Sequence, residues 1–450
     1  MKKRLALGAL VLSSLLYAES MNESLEGFDD TPEKVVSGTE NILDGFDEAN
    51  TSEGVETKEH FIAGLTGKIT EQLAYAYQGN TPHDNLNSVK SSLLLDYDYK
   101  FANNWRIKTN AKAYYDAIYD IRNENYSKDE LKEQYHEIEL FDAYVEGSIS
   151  DNVDLKLGRQ VVVWGRSDTI RITDILNPLD NRRPGMVDIE DLRLPVAMTK
   201  FDFFFGDWRI TPMAILEQRF SKNPAFGAAF NPAKDPHLET KDYNDITYAL
   251  SIGAEFYGRD INFYAARVHD NAGYIKLGTK PTSVHNKVNM FGTALNILSG
   301  SWLIKSELAY FHGLKYTSTQ EKKFTRVDTL IGLEYKGISD TMISYDVSMR
   351  HLNRYDNRLQ KEPLPINKNT YQHAFRVSAD FMNSALTANY LISLYGKHLN
   401  KGGFQRAWIK YELGEGIYTN IGVVNYIGGS KHFDSIKDND MIFADISYSF

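Results

Sequence analysis

The sequence predicts an all-β protein, namely a transmembrane antiparallel β-barrel of about 18 strands, with 16 as the alternative count. Three observations predict this fold: a terminal strand with two unlike faces, a long–short rhythm of connections, and an N-terminal export signal followed by no other long apolar run. An exported chain without a membrane-spanning apolar helix enters a membrane as a closed barrel, because lipid offers backbone groups no water partners. A disordered acidic arm is expected to precede the barrel.

Residues 1–20 have the pattern of a secretory signal peptide. A basic start at Lys2 to Arg4 is followed by an apolar run from Leu5 to Tyr17, which is shorter than the roughly 20 residues that span a bilayer. Cleavage is expected after Ala18 or after Ser20. We therefore expect export, and localisation in the outer membrane of a Gram-negative bacterium.

Residues 21–60 form an acidic arm that holds twelve acidic residues and two lysines. A motif of Leu-x-Gly-Phe followed by two acids occurs twice, in residues 25–30 and 43–48. Low hydrophobicity and like charge favour disorder in isolation. Two interpretations stay open, a solvated leader and a periplasmic docking peptide whose apolar side chains fill pockets on a partner or in the barrel lumen. The docking candidates are Leu25, Phe28, Leu43 and Phe46.

Residues 61–450 are predicted to form the barrel, and Trp105 to Asp116 shows the pattern most clearly. Its odd-numbered residues are apolar or Thr, whereas most of its even-numbered residues are charged or polar. Alternation over this length favours a strand with one apolar and one wet face. One helical turn is predicted in a connection, because Ser127 and Glu130 match a capping box at the start of Lys128 to Tyr135.

Predicted connections alternate in length along the barrel. Short turns are expected near residues 102–104, 149–152, 206–207, 257–260, 299–300, 337–340, 382–384 and 414–416, with longer links between them. Outer-membrane barrels have short periplasmic turns and long extracellular loops, so both ends of the barrel are expected on the periplasmic side. The 28 Tyr and 23 Phe suit aromatic girdles at the two membrane interfaces.

The last ten residues, Met441 to Phe450, alternate between an apolar face that ends in Phe450 and a mostly polar face. An ordinary edge strand of a soluble protein is the alternative interpretation. In lipid this edge needs a partner, and the first strand of the same sheet is the expected one. Phe450 also has the form of the terminal signal read by the barrel-assembly machinery. The expected partners are that machinery, outer-membrane lipid and lipopolysaccharide.

The segment 158–195 is the densest functional candidate, with six arginines, six acidic residues and no lysine. Arginine offers a planar fork for carboxylate pairing, which lysine lacks. We expect residues 165–195 to fold into the lumen as a constriction. Its charges either hold the loop in shape or face the path and select what passes. The candidates are Arg159, Arg166, Asp168, Arg171, Asp174, Asp180, Arg182, Arg183, Asp188, Glu190, Asp191 and Arg193.

Composition excludes or disfavours several kinds of site. The chain has no cysteine, which excludes thiol chemistry, zinc–cysteine sites and covalent haem attachment. The aspartates at 434, 438 and 440 are either a solvated loop or a Ca²⁺ site, and the first interpretation is preferred. The sequence has no basic stripe for a nucleic-acid partner. We expect no cofactor, no metal and no catalytic set, although a hydrolase built on Ser167 or His269 stays an alternative.

Three motifs carry a resemblance to a known family: Gly158 to Gly165, Asn177 to Asp180, and Glu190 to Pro195. With them, the chain resembles a family of Gram-negative outer-membrane barrels catalogued only as a domain of unknown function. It is more distantly similar to alginate-export-type barrels. The resemblance implies a setting beside RND-superfamily exporters and a companion outer-membrane-associated protein, and it implies no catalytic residues.

The expected function is passage of solute through the outer membrane. In the setting that the resemblance implies, an RND-type partner docks on the N-terminal arm and hands over apolar or amphipathic cargo. The alternatives are a general or substrate-specific uptake porin, an outer-membrane hydrolase, and a sheath around a separate electron carrier.

Overall fold

The computed structural model describes residues 64–102, 104–122, 124–184, 192–362 and 364–450. Its main element is an 18-stranded sheet in which neighbouring strands are antiparallel and the last strand pairs with the first. The prediction of a closed antiparallel barrel of about eighteen strands is confirmed. The predicted signal peptide and acidic arm lie outside the described residues.

The strands are numbered in chain order. The barrel strands are β1 (Leu65–Ala76), β2 (Asn85–Ala102), β3 (Trp105–Asp116), β4 (His136–Ser150), β5 (Val153–Gln160), β6 (Val196–Phe205), β7 (Trp208–Ile215), β9 (Thr247–Phe256), β10 (Arg259–His269), β13 (Lys287–Ser299), β14 (Trp302–Leu314), β15 (Phe324–Ile338), β16 (Thr341–Asn353), β17 (Asn369–Phe381), β18 (Leu386–Tyr395), β19 (Gly403–Gly414), β20 (Ile417–Ile427) and β21 (Met441–Ser449). A separate three-stranded sheet in the long connections consists of β8 (Glu239–Thr240), β11 (Tyr274–Lys276) and β12 (Thr282–Val284).

The last strand closes the barrel against β1. Their register begins with Lys68 opposite Ser449, and beyond it Gly67 and Phe450 exchange backbone hydrogen bonds of 2.8 and 2.9 Å. The two faces of β21 are as predicted, since Phe443 is buried on one of them. The other face exposes Ile442, Ile446, Tyr448 and Phe450. The edge at the end of the chain is therefore paired, as lipid requires.

Connections alternate in length, as the sequence predicts. Short ones follow β2, β4, β6, β9, β13, β15, β17 and β19, and longer ones follow the barrel strands between these. Two of the long connections are residues 161–195, between β5 and β6, and residues 216–246, between β7 and β9. Because successive strands run in opposite directions, all the long connections lie at one end of the barrel.

Short helices occur in these connections: α1 (Ile118–Ile121), α2 (Lys128–Gln134) and α3 (Lys431–Ile436). The predicted start of α2 is confirmed, because the Ser127 hydroxyl accepts the Glu130 N–H at 3.0 Å. The Glu130 carboxylate contacts His83 at 2.9 Å, so it serves a tertiary contact as well as the helix start. Across the described residues, every helix is too short or too polar to cross a membrane.

Exposed aromatic side chains form two bands on the outer surface. Near the short turns they are Phe101, Phe205, Trp208, Phe256, Trp302, Phe381 and Tyr418. Near the long connections they are Tyr75, Tyr77, Tyr115, Tyr248, Phe291 and Tyr310. Exposed aliphatic residues such as Leu308 and Ile331 lie between the bands. An apolar belt edged by aromatic rings is the surface that a barrel presents to lipid.

Inward-facing side chains are buried around the circumference. Met198 on β6, Ala294 on β13, Arg376 on β17 and Phe404 on β19 are each at most 1% exposed. A wide water-filled lumen would leave such side chains in contact with solvent. The interior is therefore packed at these positions, and the long connections contribute to that packing.

Candidate functional site

The connection between β5 and β6 leaves the barrel wall, and we call its described residues, 161–184 and 192–195, the inner loop. The two strands pair up to Gln160 opposite Val196, where the inner loop begins and ends. Its Trp164 and Ile170 are buried with inward-facing wall residues in one apolar cluster, and its Leu179 in another. Burial of this apolar surface favours the inward position over an extended one in water.

The inner loop contacts strands on nearly opposite sides of the barrel. The Trp164 ring stacks on Tyr264 of β10 with centroids 4.6 Å apart. The Tyr426 hydroxyl of β20 donates to the carbonyl of Pro184 at 2.5 Å. In the closed strand order β10 and β20 are almost half the circumference apart. A single connection that contacts both must cross the barrel interior.

Glu307 of β14 is the most heavily used anchor of the inner loop. Its Oε1 accepts the N–H groups of Arg166 at 2.6 Å and Ser167 at 3.1 Å. Its Oε2 accepts the N–H of Thr173 at 3.1 Å and the Thr173 hydroxyl at 2.8 Å. Gly165, with φ of +95°, lies against this carboxylate, and a Cβ there would be 2.9 Å from both oxygens. Four donors use the full acceptor capacity of the carboxylate.

Asp346 of β16 is a second anchor. Its Oδ2 accepts the hydroxyls of Ser167 at 2.6 Å and Thr169 at 2.5 Å. Gly332 of β15 lies directly opposite Asp346 in the ladder, and a Cβ at this glycine would be 2.1 Å from Asp346 Oδ1. The glycine therefore leaves the space that the anchoring carboxylate occupies.

Ion pairs add to these hydrogen bonds. The Lys305 ammonium of β14 is 2.7 Å from Asp168 of the inner loop and 3.0 Å from Glu334 of β15. Arg166 pairs with Asp260 of β10. Predicted candidates Arg166 and Asp168 thus both contact charged groups of the wall.

Two charged clusters lie further along the inner loop. Asp174 is 3.0 Å from the Nε atoms of both Arg171 and Arg193, which ties the two halves of the loop together. Burial alone would raise the pKa of Asp174, but the two guanidinium groups hold it below its ordinary value. The second cluster joins Arg182 to Asp180 at 2.6 Å.

Wall residues complete the second cluster. Arg182 also contacts Glu137 of β4 at 2.6 Å. Arg183 contacts Asp116 of β3 at 2.6 Å and the Ser88 hydroxyl of β2 at 2.7 Å. The predicted bias for arginine matches this geometry, because each guanidinium reaches more than one acceptor.

The other predicted residues are placed differently. Arg159 lies on the same side of β5 as Leu157, whose side chain is exposed on the outer surface. Its guanidinium contacts Glu217 at 3.0 Å and the carbonyl of Leu140 at 2.6 Å. Candidates Asp188, Glu190 and Asp191 lie outside the described residues, as do the docking candidates Leu25, Phe28, Leu43 and Phe46.

The wall side of the site is not among the residues that the sequence predicts. Asp260, Lys305, Glu307 and Asp346 are buried charged residues at inward positions of otherwise ordinary strands. A signal existed, since charges recur every second residue at Lys305 and Glu307 between the apolar Ile304 and Leu308. The alternation shows that these charges face inward. It does not show which distant loop they bind, because that loop is far away in the sequence.

Chemically, these contacts position the loop. The Ser167 hydroxyl donates to Asp346 and accepts the Thr169 and Ile170 N–H groups at 3.2 and 3.0 Å. His269 belongs to another network, with Nε2 3.0 Å from Asp245. Within the described ranges, no group of three or more His, Cys, Asp or Glu residues could hold a metal ion.

Solved structures share this fold. Pseudomonas aeruginosa OccK9 (OpdG) matches with a TM-score of 0.53 and 9% identity, over 86% of this chain and 97% of that one. Pseudomonas aeruginosa OccK8 (OprE) matches with a TM-score of 0.51 and 10% identity, over 86% and 97%. Acinetobacter baumannii OccAB2 matches with a TM-score of 0.50 and 12% identity, over 87% and 99%. The shared feature is the porin-like fold of outer-membrane barrels.

Sequence comparison adds one match. A family model described as a protein of unknown function covers residues 78–450, which include the inner loop and every barrel strand after β1. No curated protein matches the sequence.

Proposed function

The chain belongs to the DUF1302 family, and on this premise we propose that it is an outer-membrane channel that gives passage to a solute. The expected resemblance to a barrel family of unknown function is confirmed by this membership and by the fold. The apolar belt between two aromatic bands supports a place in a lipid bilayer. The observation that carries the proposal is the inner loop, which crosses the interior between β10 and β20.

The inner loop sets the resting state of the proposed channel. Its contacts with Glu307, Asp346 and Lys305 are hydrogen bonds and ion pairs between side chains and loop, not a continuous β-ladder. Such contacts can be exchanged for water when the loop moves, while the backbone ladder of the wall stays intact. We propose that solute passes when the loop leaves these anchors.

Conductance of the purified protein in planar bilayers tests this proposal. We expect rare, brief openings for the wild type and large, stable openings after deletion of residues 165–195. Deletion of residues 233–237, in the connection between β7 and β9, is the control and should leave the wild-type record unchanged. A deletion variant that folds but does not conduct would contradict a channel role.

We propose a more specific function for the channel, which is export together with a partner protein. From the resemblance described above, we propose that an RND-type exporter docks on the N-terminal arm and passes on apolar or amphipathic molecules. Binding of the full chain to the periplasmic domains of such an exporter should be lost in the double variant Phe28→Ala, Phe46→Ala. The control is Val35→Ala with Val36→Ala, outside the duplicated motif. An uptake porin is the alternative, which solute-influx assays would favour.

We also propose that the protein is exported by residues 1–20 and has no hydrolytic role. Fractionation of cells and N-terminal sequencing of the mature chain test the first part. Hydrolysis of phospholipid or peptide that is lost in Ser167→Ala or His269→Ala would contradict the second part.

A further inference from the structure

The barrel wall is incomplete between β4 and β5. The ladder of β4 with β3 extends to His136, but its ladder with β5 begins only at Ala143, opposite Arg159. Residues 136–142 of β4 therefore have a strand on one side only, among the strands described. A row of backbone groups without a strand partner is unfavourable in lipid, so this part of the wall needs another closure.

Side chains close it. The Arg159 guanidinium donates to the carbonyl of Leu140 at 2.6 Å, where a neighbouring strand would otherwise donate. Glu137 of β4 contacts Arg182 of the inner loop at 2.6 Å and Lys222 at 2.5 Å. Glu139 contacts Lys222 at 2.6 Å and Arg219. We call this set, together with Glu217, which pairs with Arg159, the seam.

No charged side chain of the seam is completely buried. The exposed fractions of these side chains lie between 11 and 26%. Glu137, Glu139 and Lys222 each have two partners, so a charged group that loses one partner keeps another. When a backbone ladder separates in lipid, its groups regain nothing. The seam therefore opens at a lower cost than a part of the wall that is closed by a backbone ladder.

The outer side of the seam is apolar. Ile138 of β4 is 85% exposed and Leu140 is 51% exposed. Leu216, on the other side of the gap, is also exposed. A molecule that leaves the interior through the seam meets aliphatic side chains and lipid, not water. This surface suits a solute that partitions into the membrane.

We propose that the seam is a lateral gate through which apolar solutes pass between the barrel interior and the lipid at the long-loop end. This inference rests on the proposed passage function and adds to it a route and a class of solute. Because Arg182 belongs to the inner loop, movement of that loop away from the wall removes one of the cations that close the seam. Opening of the interior and of the wall are thereby linked.

Cross-linking tests the gate, since the chain has no cysteine of its own. Glu139→Cys with Arg219→Cys places thiols on both sides of the seam, where a short bifunctional methanethiosulfonate joins them and a reductant releases them. The control is Glu146→Cys with Lys156→Cys. The Lys156 Nζ and a Glu146 carboxylate oxygen are 3.1 Å apart across β5 and β4, in the part of β4 that has a complete ladder.

Two probes are followed: entry of the apolar dye N-phenyl-1-naphthylamine into cells that express the barrel, and KCl conductance of purified protein. We expect the seam cross-link to reduce barrel-dependent dye entry by about fivefold or more, reversibly, with KCl conductance changed by less than about twofold. The control cross-link should change neither. Dye entry that is unaffected, or that falls together with conductance, would overturn the lateral gate while leaving the channel role standing.

A second variant tests the gate even if the double-cysteine variant does not fold. Glu137→Gln with Glu139→Gln weakens the four ion pairs that these two carboxylates make, without adding bulk. Heat-modifiable migration in gels shows whether the barrel forms. We expect folded protein and dye entry raised about threefold or more. Unchanged dye entry in a folded variant would contradict the gate. A wild type with neither conductance nor dye entry would remove the channel proposal and the gate with it.

Discussion

Asp346 of β16 and Ser167 of the inner loop are joined by a hydrogen bond of 2.6 Å, although 179 residues separate them in the chain. The same carboxylate oxygen accepts the Thr169 hydroxyl. One buried side chain of the wall therefore holds one turn of the loop. Charge-assisted hydrogen bonds of this kind are each worth about 1.5–3 kcal/mol. They are strong enough to favour the closed loop and weak enough to be broken without unfolding the barrel.

Replacement of Asp346 by Ala should favour the open state of the channel. Loss of about 1.5–3 kcal/mol of loop anchoring corresponds to a rise in open probability of roughly tenfold or more. Single-channel recordings in planar bilayers measure it. The matched control is Asp380→Ala, which removes a carboxylate that accepts the Thr387 hydroxyl at 2.6 Å far from the inner loop. An unchanged open probability would show that Asp346 does not hold the loop.

Gly332→Ala should reproduce the effect of Asp346→Ala without removing a charged group. The added methyl group would lie 2.1 Å from Asp346 Oδ1, so the carboxylate must turn away from Ser167 and Thr169. We expect increased open probability and faster cleavage of the loop by trypsin. Gly278→Ala is the control, because the nearest atom to its Cβ is 3.8 Å away. If Gly332→Ala behaves like the wild type, the carboxylate has another position from which it binds the loop.

The sequence is sufficient to predict the strands of the barrel wall, but it is insufficient to predict the contacts of the inner loop inside the barrel. Strand β3 begins and ends at Trp105 and Asp116, as its alternation predicts, because a half-apolar strand carries its own two-residue signal. The terminal strand and its pairing with β1 follow from the same logic. Such patterns are local. In a barrel where each strand pairs with the next one in the chain, the strands alone nearly determine the topology.

The candidate site depends on contacts that no local pattern contains. Glu307 meets Thr173 across 134 residues, and the pairing is fixed only when the whole barrel has closed. Composition groups Arg159 with the loop arginines, yet the alternation of β5 places it on the side of Leu157. Whether the odd- or the even-numbered residues of β5 face inward decides where Arg159 lies. The sequence shows neither where this short strand ends nor which strand it pairs with.

Stability should fall in mild acid through His285. Its ring stacks on Phe220 with centroids 3.5 Å apart, and Nδ1 is 2.7 Å from the carbonyl of Asp270. Burial lowers the pKa of His285 from 6.5 to about 4. The unfolded chain therefore takes up a proton below pH 6.5 and the folded chain only near pH 4. The contribution of His285 to stability should decrease by up to about 3 kcal/mol across that window and stay constant above it.

Urea unfolding in detergent between pH 7.5 and 4 measures this dependence, and His285→Gln should reduce it. The reduction is partial, because burial also lowers the pKa of His432 to about 4. His237→Gln is the control, since that side chain is 87% exposed. An identical pH profile for His285→Gln and the wild type would mean that the ring is protonated without cost in the fold.

Deletion of Phe450 separates two roles of the last residue. Its backbone exchanges hydrogen bonds with Gly67 at the closure of the barrel, and its ring is about half exposed at the outer surface. If the ring is read by the assembly machinery, deletion should lower the amount of folded barrel in cells by about fivefold or more. Refolding of the purified chain into detergent should change much less, because most of the ladder between β1 and β21 remains.

Two further variants are the controls for the deletion. Phe450→Tyr should restore assembly, and Phe381→Ser, which removes an exposed ring at the same end of the barrel, should not impair it. Equal losses in cells and in detergent would assign Phe450 to closure alone, since refolding in detergent involves no assembly factor.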